Sequence, residues 1–248
     1  YRPSRCPVVS TMSIFSYHLV KTSTVSALRT IAFPPRKATI PGLIHAEWMS
    51  AMTLGSALFS PSRILPSQLV MFAQWNEESA IDQFLNRTAI GHVLANGWHT
   101  RLEFIRQWGT ISEFEIPCET RELKSPNSSV VAVTLARMKL LQVPRFLHWG
   151  RPVEKLVRDH PGTTLSLASI RFPRTVSTFS IWRSQKEMVD MVFGRSPVPD
   201  PKRHVNAMKE RERKDFHFEF TTLRFRPISE AGEWNGGTNF IPDLAKTN

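Results

Sequence analysis

The sequence predicts an α+β fold made of tandem ferredoxin-like βαββαβ repeats, packed face to face as a pseudo-dimer within one chain. Two observations point there. The order strand, helix, strand, strand, helix, strand is legible twice, and three short motifs recur in the same order at matching stations of the two copies. Physics favours the pairing, because a four-stranded antiparallel sheet with both helices on one face leaves the other bare, and two such sheets can cover each other. With 248 residues, 41% of them hydrophobic, the chain can bury one substantial core or two moderate ones.

The first repeat, placed at residues 13–116, opens with the strand-like run Ser13–Val20. Thr22–Ala32 follows as a helix, with Ser23 or Thr24 as N-cap and Pro34-Pro35 as its stop. Leu43–Met52 and Gln68–Trp75 are the next strands. After Trp75 the apolar period lengthens. Asn76 is positioned to cap a helix whose Ile81, Phe84 and Leu85 share a face, with Glu78 near its positive end. Gly97 interrupts, and Leu102–Trp108 is strand-like. Residues 117–128 are polar and turn-rich and read as a linker.

The second repeat, 129–228, begins with the β-branched run Val130–Met138 and the helix Val143–Arg158. Thr163–Ile170 and Val176–Trp182 are strands separated by Pro173, and Ser184–Val192 is helical. After the Pro-rich insert Ser196–Pro201 come the helix Lys202–Arg213 and the alternating strand Phe216–Phe225. Residues 1–12 and 229–248 read as tails. Across the repeats, Pro41-Gly42 matches Pro161-Gly162, Phe72-x-x-Trp75 matches Phe179-x-x-Trp182, and His92-Val-x-Ala95 matches His204-Val-x-Ala207, the mark of an internal duplication.

Several function classes drop out. No run approaches the ~18 consecutive apolar residues of a membrane span. The first residues contain no apolar signal core, Met12 is the candidate natural start, and two cysteines, Cys6 and Cys118, argue against a disulfide framework. A reducing, cytoplasmic compartment is expected, so the sequons at Asn86 and Asn127 read as chance matches. The net charge of +11 biases the chain toward anionic partners such as a membrane surface. Its densest cluster, Lys202–Lys214, alternates with acidic residues as a solvated helix face does, and neither zinc-finger spacing nor an RNA-binding aromatic signature accompanies it. Nucleic acid is therefore disfavoured.

No Gly-rich phosphate loop, His-Glu-x-x-His or Gly-x-Ser-x-Gly elbow is present. Eight His, seven Trp and sixteen Phe suit a bulky apolar ligand, or a cofactor that brings its own reactivity. Trp75 and Trp182 close their strands, either as structural caps or, for Trp182, as a pocket wall. His204 opens a helical segment with Met208 one turn on; it is either a haem-iron ligand through a neutral ring nitrogen or a surface histidine. His92 carries a weaker form of the same ambiguity, and His148 reads as a packing residue. Arg224 alternates with Leu223 and Phe225, so it binds a carboxylate or propionate if its face meets a pocket and is an ordinary surface arginine if not.

Thr178-Phe-Ser-Ile-Trp182, Met188, Phe193, His204-Val-Asn-Ala-Met208 and Phe220 through Arg224-Phe-Arg-Pro227 resemble the C-terminal part of the spheroidene monooxygenase family of carotenoid-modifying proteins. Val133-Thr-Leu-Ala-Arg137 with Phe146 adds to the resemblance, and Pro41-Gly-Leu43 with Leu54-Gly-Ser56 and Phe59 is a fainter echo. The chain departs from the family at Ala168-Ser-Ile-Arg171, in place of a Gly-Ile-Gly-Glu-like turn, at Phe216-His-Phe-Glu219, where paired Glu is usual, and around Met49–Ser56, where glycines are thinned. The resemblance implies a dimeric-α/β-barrel type of fold and an oxygenase using haem b on a long polyene lipid. Carried over by position, it makes His204 the axial metal ligand, Arg224 a cofactor-binding residue, and Trp182 and Phe225 pocket residues.

The leading expectation is thus a haem-dependent, monooxygenase-like protein. Its rivals are a non-catalytic binder of apolar ligands and a basic adaptor for membrane or nucleic acid. Expected partners are a hydrophobic small molecule, an anionic membrane at which the protein is peripheral, and further copies of the chain.

Overall fold

The computed structural model describes residues 13–245 except 58, 59, 61, 117–119, 122 and 124. The readings of residues 1–12, Cys6, Cys118, Phe59 and part of the 117–128 linker fall outside the described residues.

All eight expected strands form. In chain order they are β1 Ile14–Lys21, β2 Leu43–Met52, β3 Ile64–Trp75, β4 Trp98–Thr110, β5 Val130–Met138, β6 Thr163–Arg171, β7 Thr175–Trp182 and β8 His217–Ala231. They close into one barrel in the order β1-β3-β2-β6-β7-β5-β8-β4. Each half therefore keeps the ferredoxin-like order, β4-β1-β3-β2 and β8-β5-β7-β6, and the predicted fold class is the observed one. The halves meet along two seams. The β2–β6 seam is short, Ser50 to Met52 against Ile170 to Ala168, while the β4–β8 seam runs from His99 opposite Ala231 to Thr110 opposite Phe220. That long seam is why β4 and β8 outrun their sequence patterns: their ends are extended by pairing with each other.

Helices α1 Thr24–Ala32, α2 Glu78–Arg87, α3 Ala89–Ala95, α4 Val143–Asp159, α5 Gln185–Val192, α6 Arg203–Arg213 and the short α7 Pro242–Ala245 complete the chain. Ser23 caps α1 by accepting from Ser26 N, and Ser184 caps α5 by accepting from Glu187 N while its hydroxyl donates to the Glu187 carboxylate. Asn76 does not cap α2. Glu77 holds that position, because the Asn76 N–H donates to Gly42 O at 2.9 Å and its side chain fills the space beside Gly42, whose φ of +75° needs a glycine.

The barrel interior is filled. Phe15, Tyr17, Phe72, Phe114, Phe179 and Phe225 pack together, with Tyr17 and Phe179 stacked at 3.9 Å. The segment 229–245, expected as part of a tail, is structured. It continues β8 to Ala231 and then buries Trp234 and Ile241 in the same core, held by Glu230, which accepts from the N–H groups of Phe240 and Ile241. Its apolar side chains close an end of the barrel that no strand covers.

Two buried ion clusters tie the halves together. Arg63, in the loop before β3, forms a bidentate pair with Glu154 of α4, and Gly55 N donates to the same carboxylate. Glu47 of β2 meets His45, Arg137 of β5 and Arg171 of β6. Burial pushes its carboxyl upward, but these three partners outweigh that and hold it at about 2.

Candidate functional site

Strand register assigns every side chain to the barrel interior or to the outer, helix-facing surface. In the second half, Val131, Val133 and Leu135 point inward with their partners Ile181, Phe179, Phe225 and Leu223. Beyond the end row of Thr163, Trp182 and Val130, the outer surface carries three rows from β6 to β8: Ser166, Ser180, Ala132, Arg224; Ala168, Thr178, Thr134, Thr222; and Ile170, Val176, Ala136, Phe220. Thr134, Thr178 and Thr222 lie mid-strand, yet they are only half-buried.

Three helices reach the rim of this surface. Arg224 Nη1 donates to Gln185 of α5 at 3.2 Å. Arg211 of α6 lies 3.8 Å over the Phe220 ring, and Phe146 and Trp149 of α4 join the cluster of Ala136, Met138, Phe216 and Phe220. Between these contacts the outer surface carries small side chains, of which Ala136, Ala168 and Ser180 are buried and Thr134, Thr178 and Thr222 half-buried; the strip they form between α4, α5 and α6 is the candidate crevice. In α6, His204, Ala207, Met208 and Arg211 recur at i, i+3, i+4 and i+7, so they share one face. Ala207 is buried and Arg211 touches the sheet, so this face looks onto the crevice.

His204 is half-buried, and its Nδ1 lies 3.0 Å from Val192 O at the end of α5. That contact fixes the proton on Nδ1, leaving Nε2 a neutral lone pair without a partner among the described residues. Burial keeps the ring's pKa below its ordinary value, against the weaker opposite pull of the carbonyl. The acceptor is Val192, not the Glu210, Glu212 or Asp200 that lie nearer in the sequence. Arg224 lies across the crevice floor on β8. Its guanidinium stacks 4.6 Å over Trp108, its Nε is buried without a partner, and burial, with Arg106 close by, brings its pKa down to about 10.

Trp182 is on the same outer surface, its indole N–H donating to Ser180 at 2.9 Å and its ring 5.0 Å from His160. Its repeat mate Trp75 donates likewise to Ser16. Phe225 does not join these residues; it is turned into the filled barrel. His92 is exposed on α3 and contacts Asn86 O at the end of α2, an arrangement parallel to that of His204. His148 stacks edge-on to Trp149 and lines an open cleft of about 560 Å³ with Leu147, Arg151, Lys155 and Arg203, away from the crevice floor.

His217 was passed over in the sequence. Its Nδ1 is 3.0 Å from Asp215, while Nε2 is buried without a partner among Phe146, Phe216 and Phe220. Burial lowers its pKa to about 4, outweighing the carboxylate. Only the Asp-Phe-His spacing hinted at this pair; the aromatic ring around it comes in part from α4.

The barrel is a single-chain version of a dimeric α/β barrel, with the candidate crevice on the outer surface of its second half. Among solved structures, an aldoxime dehydratase in complex with butyraldoxime is similar at a TM-score of 0.54 and 9% identity, over 94% of this chain and 86% of that one, a likeness of fold. A Fusobacterium nucleatum protein provisionally named a monooxygenase matches at 0.39 and 8% over 93% and 98%, and a heme-degrading enzyme of Listeria monocytogenes at 0.27 and 11% over 84% and 98%. No family model and no curated protein matches the sequence.

Proposed function

We propose that this protein holds haem b in the crevice over its second half-sheet and acts as a monooxygenase-like enzyme on a hydrophobic, carotenoid-like substrate. The observation that carries the reading is His204: a neutral imidazole, its Nδ1 tied to Val192 O, its Nε2 free, on the α6 face turned toward a sheet floored by Thr134, Thr178 and Thr222. A ligand histidine needs such an anchored second nitrogen to fix its tautomer and ring plane. Arg224, with an unpartnered buried Nε, is the cation suited to a propionate.

Bound there, haem would supply the activation of dioxygen. The chain's own groups do the rest. His204 would hold the group through Nε2, Arg224 would neutralise and orient its acidic edge, and the hydroxyls of Thr134, Thr178 and Thr222 would offer hydrogen bonds from the floor. The aromatic end formed by Phe146, Trp149 and Phe220 takes the apolar body of a substrate and excludes water. The same aromatic end is also the observation that favours the rival reading, an apolar-ligand carrier without iron.

Absorption spectroscopy of protein expressed with haem precursor separates the two. A Soret band is expected, and His204→Ala should abolish or shift it with an unchanged far-UV circular dichroism spectrum. A wild type that binds a polyene without a Soret band establishes the carrier. An unchanged band in the variant overturns the ligand assignment and directs attention to His217.

A further inference from the structure

Large apolar side chains crowd one rim of the second half. Leu141 is 94% exposed, Phe172 68%, Phe218 62% and Leu140 47%. They come from three segments that the fold ties together: the turn from β5 into α4, the β6–β7 hairpin and the start of β8. Lys139 N donates to Phe216 O, and Met138 N donates to Arg174 O. Lys139 and Arg174 both sit over the Phe218 ring, at 5.9 and 5.4 Å. Lys214, also exposed, adds a further cation beside Asp215.

We infer that this rim docks on an anionic lipid bilayer, with Leu140, Leu141, Phe172 and Phe218 entering the interface and Lys139, Arg174 and Lys214 meeting the headgroups. Apolar side chains interleaved with cations are what an interfacial anchor requires, since burial of the first and attraction of the second act together. The position of the rim supplies the purpose. Met138, Phe216 and Val176, which adjoin the three segments, belong to the aromatic end of the crevice. A lipid-soluble ligand leaving the bilayer at this rim meets the crevice without crossing water. The other exposed apolar group, Val25, Leu28 and Phe33 around α1, lies on the half whose outer surface is filled. The purpose rests on the proposed function; the docking itself does not.

Co-sedimentation with phosphatidylcholine vesicles, with and without about one-third phosphatidylglycerol, tests the inference. The paired substitutions Leu141→Asp with Phe218→Asp, and Lys139→Glu with Arg174→Glu, should each lower partitioning onto the anionic vesicles by about tenfold. Val25→Asp with Phe33→Asp should leave it unchanged. Lys139 is half-buried and the other substituted positions are exposed, and circular dichroism checks the fold of each variant. Binding like wild type in both rim pairs overturns the inference, and so does an equal loss in the α1 pair. A wild-type dimer in light scattering that Leu141→Asp with Phe218→Asp splits also overturns it, assigning the rim to a second copy. The Soret band of the same samples keeps the readings apart: vesicle binding without haem sinks only the proposed function, and haem without vesicle binding sinks only the docking.

Discussion

In the first half-sheet the middle outer row is Trp48, Met71, His18 and His99; at the same register in the second half stand Ala168, Thr178, Thr134 and Thr222. Trp48, Met71 and His18 are buried in or beside the core that lies against α2 with Ile81, Phe84 and Leu85. The second row leaves its three threonines half-buried, while α4 and α5 pack Leu156, Met188 and Met191 on Val130, Trp182 and Ala132 beside it. A duplicated fold can therefore divide its labour without changing its backbone plan. One copy keeps large apolar side chains under its helices and supplies stability, at roughly 1.5–3 kcal/mol for each fully buried side chain. The other carries small side chains and hydroxyl groups in that row, the lining a ligand site would use.

Trimming the filled row should have the largest effect. Trp48→Ala removes a side chain that is 2% exposed, and it should destabilise the protein by about 3–5 kcal/mol in denaturant unfolding. A loss near zero would show that the first half is no better packed than the second. Filling the hollow row is the converse experiment. Thr178→Met installs the side chain found at Met71 and should weaken haem or polyene binding by about tenfold or more, with stability changed by less than about 1.5 kcal/mol. A large loss of stability instead would mean that the floor is already packed and that there is no crevice.

The smallest effect separates the halves by pH. His217 titrates near 6.5 when unfolded and about 4 when folded, so the unfolded chain takes up the proton first. Its contribution to stability is fully present above about 6.5 and is lost as the pH falls toward about 4. His217→Phe should flatten the acid side of the stability profile by up to one proton's share, while the downward shift of buried His18 in the first half keeps part of the slope. An unchanged slope would place the proton uptake elsewhere.

The sequence by itself determined the elements and the architecture. Period-two alternation marked the strands, the capping residue Ser23 marked the start of α1, and the repeated Trp75 and Trp182 marked equal register. It also singled out His204 and Arg224. Tertiary structure alone decided what surrounds them. The Val192 carbonyl that anchors His204 is twelve residues away, and Gln185, which meets Arg224, is thirty-nine away. Alternation placed Phe225 opposite Arg224, but only closure of the barrel settled which of the two looks into packed core. His217 escaped notice because its significance lies in being enclosed by Phe146, a residue of α4 whose approach no local pattern encodes. The row of small side chains is likewise a contrast between distant strands: Thr134, Thr178 and Thr222 are unremarkable residues until strand pairing sets them side by side.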